Sequence, residues 1–333
     1  MRAWVSGAGV LLAVVTVLAT DARAQPSLSV TERQGIVQAI ADLVEARYVI
    51  ADTGRALAEQ LRRDAATDRW RDQSEPEAFA AAITAHLRSA SGDGHLGLSY
   101  RPAPLPAESA AAEQTYGAEQ MERWYGAHLN YGFEQIRRFD GNIGYLDLRV
   151  FAPASTAGDV AAAAMTVLAQ SAALVIDLRE NGGGHGEMAH LLAAYLLDGP
   201  QPMSGSYDRP SDTRTWALTP AWVPGRRYGT ARPVYVLTSK RTFSAAEGFA
   251  YDLQALGRVT VVGERSGGGA HPFAYRRVHP HFVLSLAEGR SINPITGGNW
   301  QGTGVIPDVA APADQALERA LELARTALPG RSR

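Results

Sequence analysis

The chain has 333 residues, a formal net charge of −2 and no cysteine. A charge so close to zero argues against a nucleic acid or other polyanion as the main partner. The missing thiols exclude disulfides, cysteine nucleophiles and cysteine metal sites, so stability must come from packing.

The chain begins MRAWVSGAGVLLAVVTVLATDARAQP. Arg2, an apolar run from about Val10 to Ala19 and the small-residue ending Ala22-Arg23-Ala24 read as a cleavable secretory signal over residues 1–24. The run is too short to span a bilayer comfortably, and no later stretch is apolar enough to do so. The expectation is an exported protein, periplasmic or secreted, with no stable membrane insertion after cleavage.

From Thr31 to Ala90 the apolar residues follow helical spacing, with Ile36, Ile40, Leu43 and Val44 on one stripe and Phe79, Ile83 and Leu87 on another. Thr31-x-x-Gln34 and Ser74-x-x-Glu77 fit capping boxes, so three helices are predicted, the middle one over Thr53 to Ala66. Residues 101–112 are rich in proline and alanine and read as a linker. From Asn142 onward, β-branched runs alternate with helical segments: IGYLDLRVF, a helix around Val160 to Gln170, ALVIDLR, a helix near Glu187 to Leu197, PVYVLTS, a helix from Ser244 to Leu256, then VTVVGE. That alternation predicts an α/β fold with a parallel sheet covered by helices. A further amphipathic helix is expected over Ala313 to Ala327. No internal repeat or low-complexity tract is present.

In parallel sheets, loops at the carboxyl edge carry the chemistry, beside helix N-termini. Two loops fit: Arg179-Glu180-Asn181-Gly182-Gly183-Gly184 after ALVIDLR, and Thr238 to Ser244 after PVYVL. Ser244 sits between strand and helix, where its hydroxyl and the Ala245 amide meet the positive end of the helix dipole. Ser244-x-x-Glu247 is equally a capping box, and many serines at this place only cap. The triglycine run can turn its amides inward as a nest for an oxyanion, although an ordinary strand-to-helix turn has the same composition. It is not a phosphate loop, because GK[ST] is missing.

Among eight histidines, His95 in Ser91-Gly92-Asp93-Gly94-His95 is presented by a tight glycine-flanked loop. His279 and His281 alternate about Pro280 on a strand, without a third ligand at metal-binding spacing. A second glycine loop, Gly263 to His271, suits a lip around a substrate. The segment Gly297-Gly298-Asn299-Trp300-Gln301-Gly302-Thr303-Gly304-Val305-Ile306-Pro307-Asp308 reads as a turn into an edge strand that Pro307 ends. Nothing calls for a cofactor or a metal.

Taken in order, GDGH, IDLRENGGG, TFSAAE, VVGE with its glycine loop and GGNWQGTGVIPD resemble the tail-specific, or carboxyl-terminal processing, serine proteases over about Thr31 to Val309. The resemblance is closest to the branch with interphotoreceptor retinoid-binding protein modules and tricorn-like proteases. It implies a crotonase/caseinolytic-protease-like β/α spiral core after a small N-terminal three-helix domain. The implied organisation is residues 25–100 helical, 101–141 linker and approach to the core, and 142–333 catalytic. No peptide-binding PDZ insert fits between Arg101 and Asn142.

The same resemblance places Ser244 on the nucleophile, Ala245 with Gly182 or Gly183 on the oxyanion hole, and Gly268 and Gly269 on a substrate-lining lip. Classical members pair the serine with a lysine, but Gly269 stands at that position. The sole lysine, Lys240, lies four residues before Ser244. The other branch implies a Ser-His-Glu arrangement, with His95 as general base and a glutamate where this chain carries Gln301. Glu264 is the alternative carboxylate. The implied activity is hydrolysis of a peptide or protein through an acyl-enzyme on Ser244. With Gln301 in the glutamate's place, a weakened or inactive binding module holding a peptide or apolar ligand is the second expectation.

Overall fold

The computed structural model describes residues 27–105 and 118–328. The expected secretory signal lies outside the described residues, as does most of the expected linker.

Three helices come first: α1 (Val30–Arg47), α2 (Ala51–Ala66) and α3 (Pro76–Ser91). Their starts lie close to the expected caps but not on them. Ser29 and Glu32 form the capping box of α1, and the Glu75 carboxylate accepts from the N–H groups of Glu77 and Ala78 at the start of α3. Pro76 explains the second displacement, because a proline needs no backbone donor at the first helical position.

The helical unit does not bury its apolar face alone. Strand β1 (Gly97–Tyr100) pairs antiparallel with β10 (Phe282–Ala287), which pairs with β9 (Phe273–His279). Ile36, Ile40, Leu61, Phe79 and Leu87 form one core with Leu96, Phe282 and Leu284. The helices therefore pack onto a sheet whose other strands come from the far end of the chain.

The central sheet has the order β12-β8-β7-β4-β3-β2: Val309–Ala310, Thr260–Gly263, Val234–Thr238, Ala173–Asp177, Ile143–Leu148 and Phe133–Phe139. All its neighbours run parallel except β2 and β3. β3, β4 and β7 are buried along their whole length, which is why they read as unbroken apolar runs rather than alternating ones. After α4 (Ala118–Tyr125), helices α5 (Ala154–Leu168), α6 (Gly186–Tyr195) and α7 (Ala245–Ala255) share a core with one face, and α8 (Ala316–Ala327) shares another core with β4 and β7. The chain is thus mixed α/β, preceded by a helical region. The edge strand expected before Pro307 is replaced by turns, and the short β12 follows Pro307 and Asp308.

A third sheet, β11-β5-β6 (Gly289–Ile292, Pro202–Asp208, Thr213–Leu218), was not anticipated. Its outer strand β6 is largely exposed, Trp216 and Leu218 included, so its apolar residues do not alternate in the way that identifies a half-buried strand.

Glu288 links the helices to the sheets. Its buried carboxylate accepts from Arg47 of α1 and from Arg276 of β9. Burial raises its affinity for a proton, but the two guanidiniums outweigh burial and hold it below its ordinary value of 4.5. Its contribution to stability is therefore present above that value and is lost as the pH falls through the lower folded-state value. Glu288→Ala leaves Arg276 buried without its partner and is expected to cost about 3 kcal/mol in chemical denaturation at pH 7.

Candidate active site

Strands β4 and β7 are parallel neighbours, with Asp177 opposite Leu237. Their following loops must therefore emerge side by side, and this sets Gly183 against Ser244. A Cβ on Gly183 would stand 2.7 Å from Ser244 Cβ, and its φ of +108° suits a residue without one. Asn181 fastens the two loops: its amide nitrogen donates to Leu148 C=O, its side-chain oxygen accepts Gly183 N–H at 2.8 Å, and its carbonyl accepts Phe243 N–H.

Ser244 directly precedes α7 and has φ 54°, ψ −122°, a positive-φ conformation that non-glycine residues adopt rarely and at a cost. Ser244 Oγ lies 3.2 Å from His95 Nε2. The capping contact to Glu247 also forms, with Ser244 N–H donating to the carboxylate at 2.9 Å.

Glu247 is fully buried and accepts three further donors: Ser266 Oγ, Gly268 N–H and Gly269 N–H. Burial raises its proton affinity, and the donors act against that. One carboxylate thereby ties the Ser244 backbone to the second glycine loop. Gly269 lines the cleft. Gly268 packs against the Gly302 backbone. The expected lip is thus a braced wall with one cleft-lining glycine.

His95 arrives from the loop between α3 and β1. Gly92 ends α3 in the left-handed conformation, and Gly94 approaches Phe243 so closely that a Cβ would meet its ring at 2.8 Å. The imidazole lies between Phe243 and Phe273, with ring centroids at 4.8 and 5.0 Å. Burial among these rings pushes its pKa down to about 4; the nearby Asp93 charge opposes the shift, while His271 and Arg88 add to it.

Gln301 and Glu264, expected as candidates to orient His95, make their contacts elsewhere. Gln301 Oε1 accepts Ala270 N–H at 2.7 Å. Glu264 lies at the end of β8 beside a separate depression shared with Pro307 and Ala310, and its carboxylate faces Lys240 N–H. The carboxylate that does approach His95 is Asp93, two residues earlier in the same loop, with Oδ1 3.8 Å from Nδ1. Sequence reading passed over it because an aspartate between glycines looks like an ordinary solvated turn.

The oxyanion candidates separate as well. Gly183 N–H is committed to Asn181, whereas Gly184 and Ala245 line the cleft beside Ser244. Ala245 opens α7, and its N–H has no carbonyl one turn back. The cleft holds about 740 Å³, within the range of pockets that enclose a small ligand or a peptide segment. Ala189, Met203, Phe249 and Trp300 give it apolar walls, with His190 and Asp252 on its lining. Burial lowers the pKa of His190 and raises that of Asp252. Lys240 is exposed. Among the described residues no cluster of histidine and carboxylate side chains could hold a metal ion, and no helix is long and apolar enough to cross a membrane.

Comparison with known proteins bears on the family and the fold. The pattern of peptidase family S41 matches residues 142–311, and that of the N-terminal domain of S41 peptidases in eukaryotic interphotoreceptor retinoid-binding protein matches residues 24–128. Among solved structures, the photosystem II D1 C-terminal processing protease superposes with a TM-score of 0.53 at 19% identity, covering 88% of this chain and 97% of that one. A lipoprotein from Streptococcus agalactiae gives 0.60 at 15% identity, with 89% and 97% covered. The tricorn protease gives 0.53 at 14% identity over 89% of this chain and 37% of its own length. At such identities these structural likenesses concern the fold.

Glu247→Ala would leave three backbone amides and a buried hydroxyl without their acceptor. It is expected to lower stability by about 3 kcal/mol in denaturant titration, a loss that an exposed carboxylate such as Glu59 would not produce.

Proposed function

This chain belongs to peptidase family S41, and from that premise we propose that it is an exported serine peptidase in which Ser244 attacks a peptide carbonyl with His95 as general base. The observation that carries the reading is the 3.2 Å approach of Ser244 Oγ to His95 Nε2, at a strained helix start inside a cleft of about 740 Å³. The export part of the proposal rests on the signal-like residues 1–24 alone.

A neutral imidazole that accepts at Nε2 carries its proton on Nδ1. His95 takes the Ser244 proton as Oγ bonds to the carbonyl carbon. The resulting oxyanion is held by the N–H groups of Ala245 and Gly184, each worth about two to three orders of magnitude in rate. The imidazolium then gives its Nε2 proton to the departing amine. Water, deprotonated by the same nitrogen, releases the acyl group from Ser244 and restores the site. Strand and helix alternation with two active loops at one sheet edge is also what supports the crotonase-like reading of the core.

The competing reading is a binding module of the same fold without turnover. It is favoured by Gln301, which cannot serve as a carboxylate, and by the lack of a hydrogen-bond partner for His95 Nδ1 among the described residues.

Labelling with a fluorophosphonate separates the two. The wild-type protein is expected to label and Ser244→Ala not to; absence of serine-dependent labelling would favour the binding module. The base must be neutral, so its depressed pKa sets the acid limb of activity. Peptidase kcat/KM should rise with pH through a limb near the His95 value of about 4 and stay level through neutrality. A limb near the ordinary 6.5 would contradict a base buried in this way.

A further inference from the structure

The general base of the proposed mechanism has one nitrogen facing Ser244 and another, Nδ1, that is buried without a hydrogen-bond partner among the described residues. A buried polar atom without a partner is uncommon and calls for a reason. Asp93 Oδ1 is 3.8 Å from that nitrogen, and among the described residues no other carboxylate lies within salt-bridge distance of His95. Building on the peptidase reading, we propose that Asp93, rather than Gln301 or Glu264, is the positioning residue for His95, and that His271 holds Asp93 in place, giving the chain Ser244–His95–Asp93–His271.

Asp93 is completely buried, yet its carboxylate is surrounded by donors. Oδ1 accepts His95 N–H at 2.9 Å, and Oδ2 accepts from His271 Nδ1 at 2.7 Å and from Tyr48 OH at 3.2 Å. Burial alone would favour its protonated form, but these donors and the two imidazoles reverse the balance and keep its proton affinity below the ordinary value. The site therefore retains an anion where the departure of Gln301 from glutamate removes one. Since the carboxylate also takes the backbone N–H of His95, it fixes the loop that presents the ring as well as the field around it.

The 3.8 Å separation is too long for a hydrogen bond. Catalytic hydrogen bonds are commonly long in an unliganded site and tighten as the transition state forms. The driving force here is the charge that His95 acquires. Once Nε2 has taken the Ser244 proton, the imidazolium sits between two phenylalanine rings with Asp93 as its nearby anion. No proton moves to Asp93: Nδ1 keeps the one it held, and Nε2 carries the one from serine.

The groups facing this pair from each side are accounted for. Tyr48 comes from the end of α1, Arg88 from α3, His271 from the glycine loop, and Phe243 and Phe273 close the ring faces. His271 also lines the cleft, which places the far end of the chain within reach of bound substrate. Gln301 accepts the N–H of Ala270, the residue before His271, and so braces that end.

The test uses the full mature chain and imidazole nitrogen NMR. In the unmodified protein the account predicts His95 as the Nδ1–H tautomer; a dominant Nε2–H tautomer would overturn it, without any variant having to fold. Titrated in a Ser244→Ala background, Asp93→Asn should shift the His95 midpoint to lower pH, because the variant removes the anion that favours the imidazolium; an unchanged midpoint would overturn the assignment. With Ser244 intact, Asp93→Asn should lower kcat by roughly four orders of magnitude, as in the amide variant of a serine triad, with little change in KM. A purely structural turn residue would instead lower folded yield and leave the turnover of folded molecules near wild type. If the wild-type protein fails to label with fluorophosphonate, the peptidase reading falls while the titration still decides whether Asp93 governs His95.

Discussion

The hydrogen bond between Ser244 and His95 joins groups 149 residues apart in sequence, and it forms only while two separately built parts of the chain stay in register. Ser244 belongs to the parallel sheet, His95 to the helical unit. Their docking is carried by β1 against β10, by the Glu288 carboxylate between Arg47 and Arg276, and by Arg209 donating to the carbonyls of Tyr48 and Glu45. The N-terminal helices are thus not an accessory to the sheet. They bring His95, and the sheets from the chain's far end supply the surface that holds it.

Burial of polar groups is what makes this junction specific. Asp93, His95, Glu247, Asn181 and His271 are all removed from solvent, and each would be costly there without a partner. Each carboxylate resolves the problem by collecting donors: four on Glu247 from two loops, three on Asp93 from three parts of the chain. A network of that kind leaves few alternative arrangements, since displacing one loop leaves amides unmet on another. The strained backbone at Ser244 persists because its surroundings over-determine it.

The parts legible in the sequence were those in which a residue type has one physical explanation. β3, β4, β7 and β8 stand out as apolar β-branched runs because helices cover the sheet on both faces. The glycine loop before α6 and the serine before α7 follow from the layout of a parallel sheet, and the structure puts them in contact. Less legible was anything set by side-chain direction. A motif locates Gln301 in the chain, but which way its amide points depends on the backbone of Ala270. Gly183 looked like an oxyanion donor until its N–H met Asn181. Asp93 sits inside the same four-residue motif as His95, yet its meaning depends on Tyr48 and His271, which no local pattern connects to it. The hairpin of β5 and β6 carries apolar residues, Met203, Trp216 and Leu218 among them, but not in the alternation of a half-buried strand.

The central claim is spatial: one serine, one imidazole and two backbone amides converge on a single reacting carbon. A crystal structure of the protein after reaction with a phosphonate that mimics the tetrahedral intermediate measures that convergence directly. The account predicts phosphorus bonded to Ser244 Oγ, one phosphonyl oxygen within hydrogen-bond distance of the N–H groups of both Ala245 and Gly184, and His95 Nε2 on the opposite side of the adduct. Phosphorus on another residue, or an oxygen turned to solvent with those amides unengaged, would contradict it.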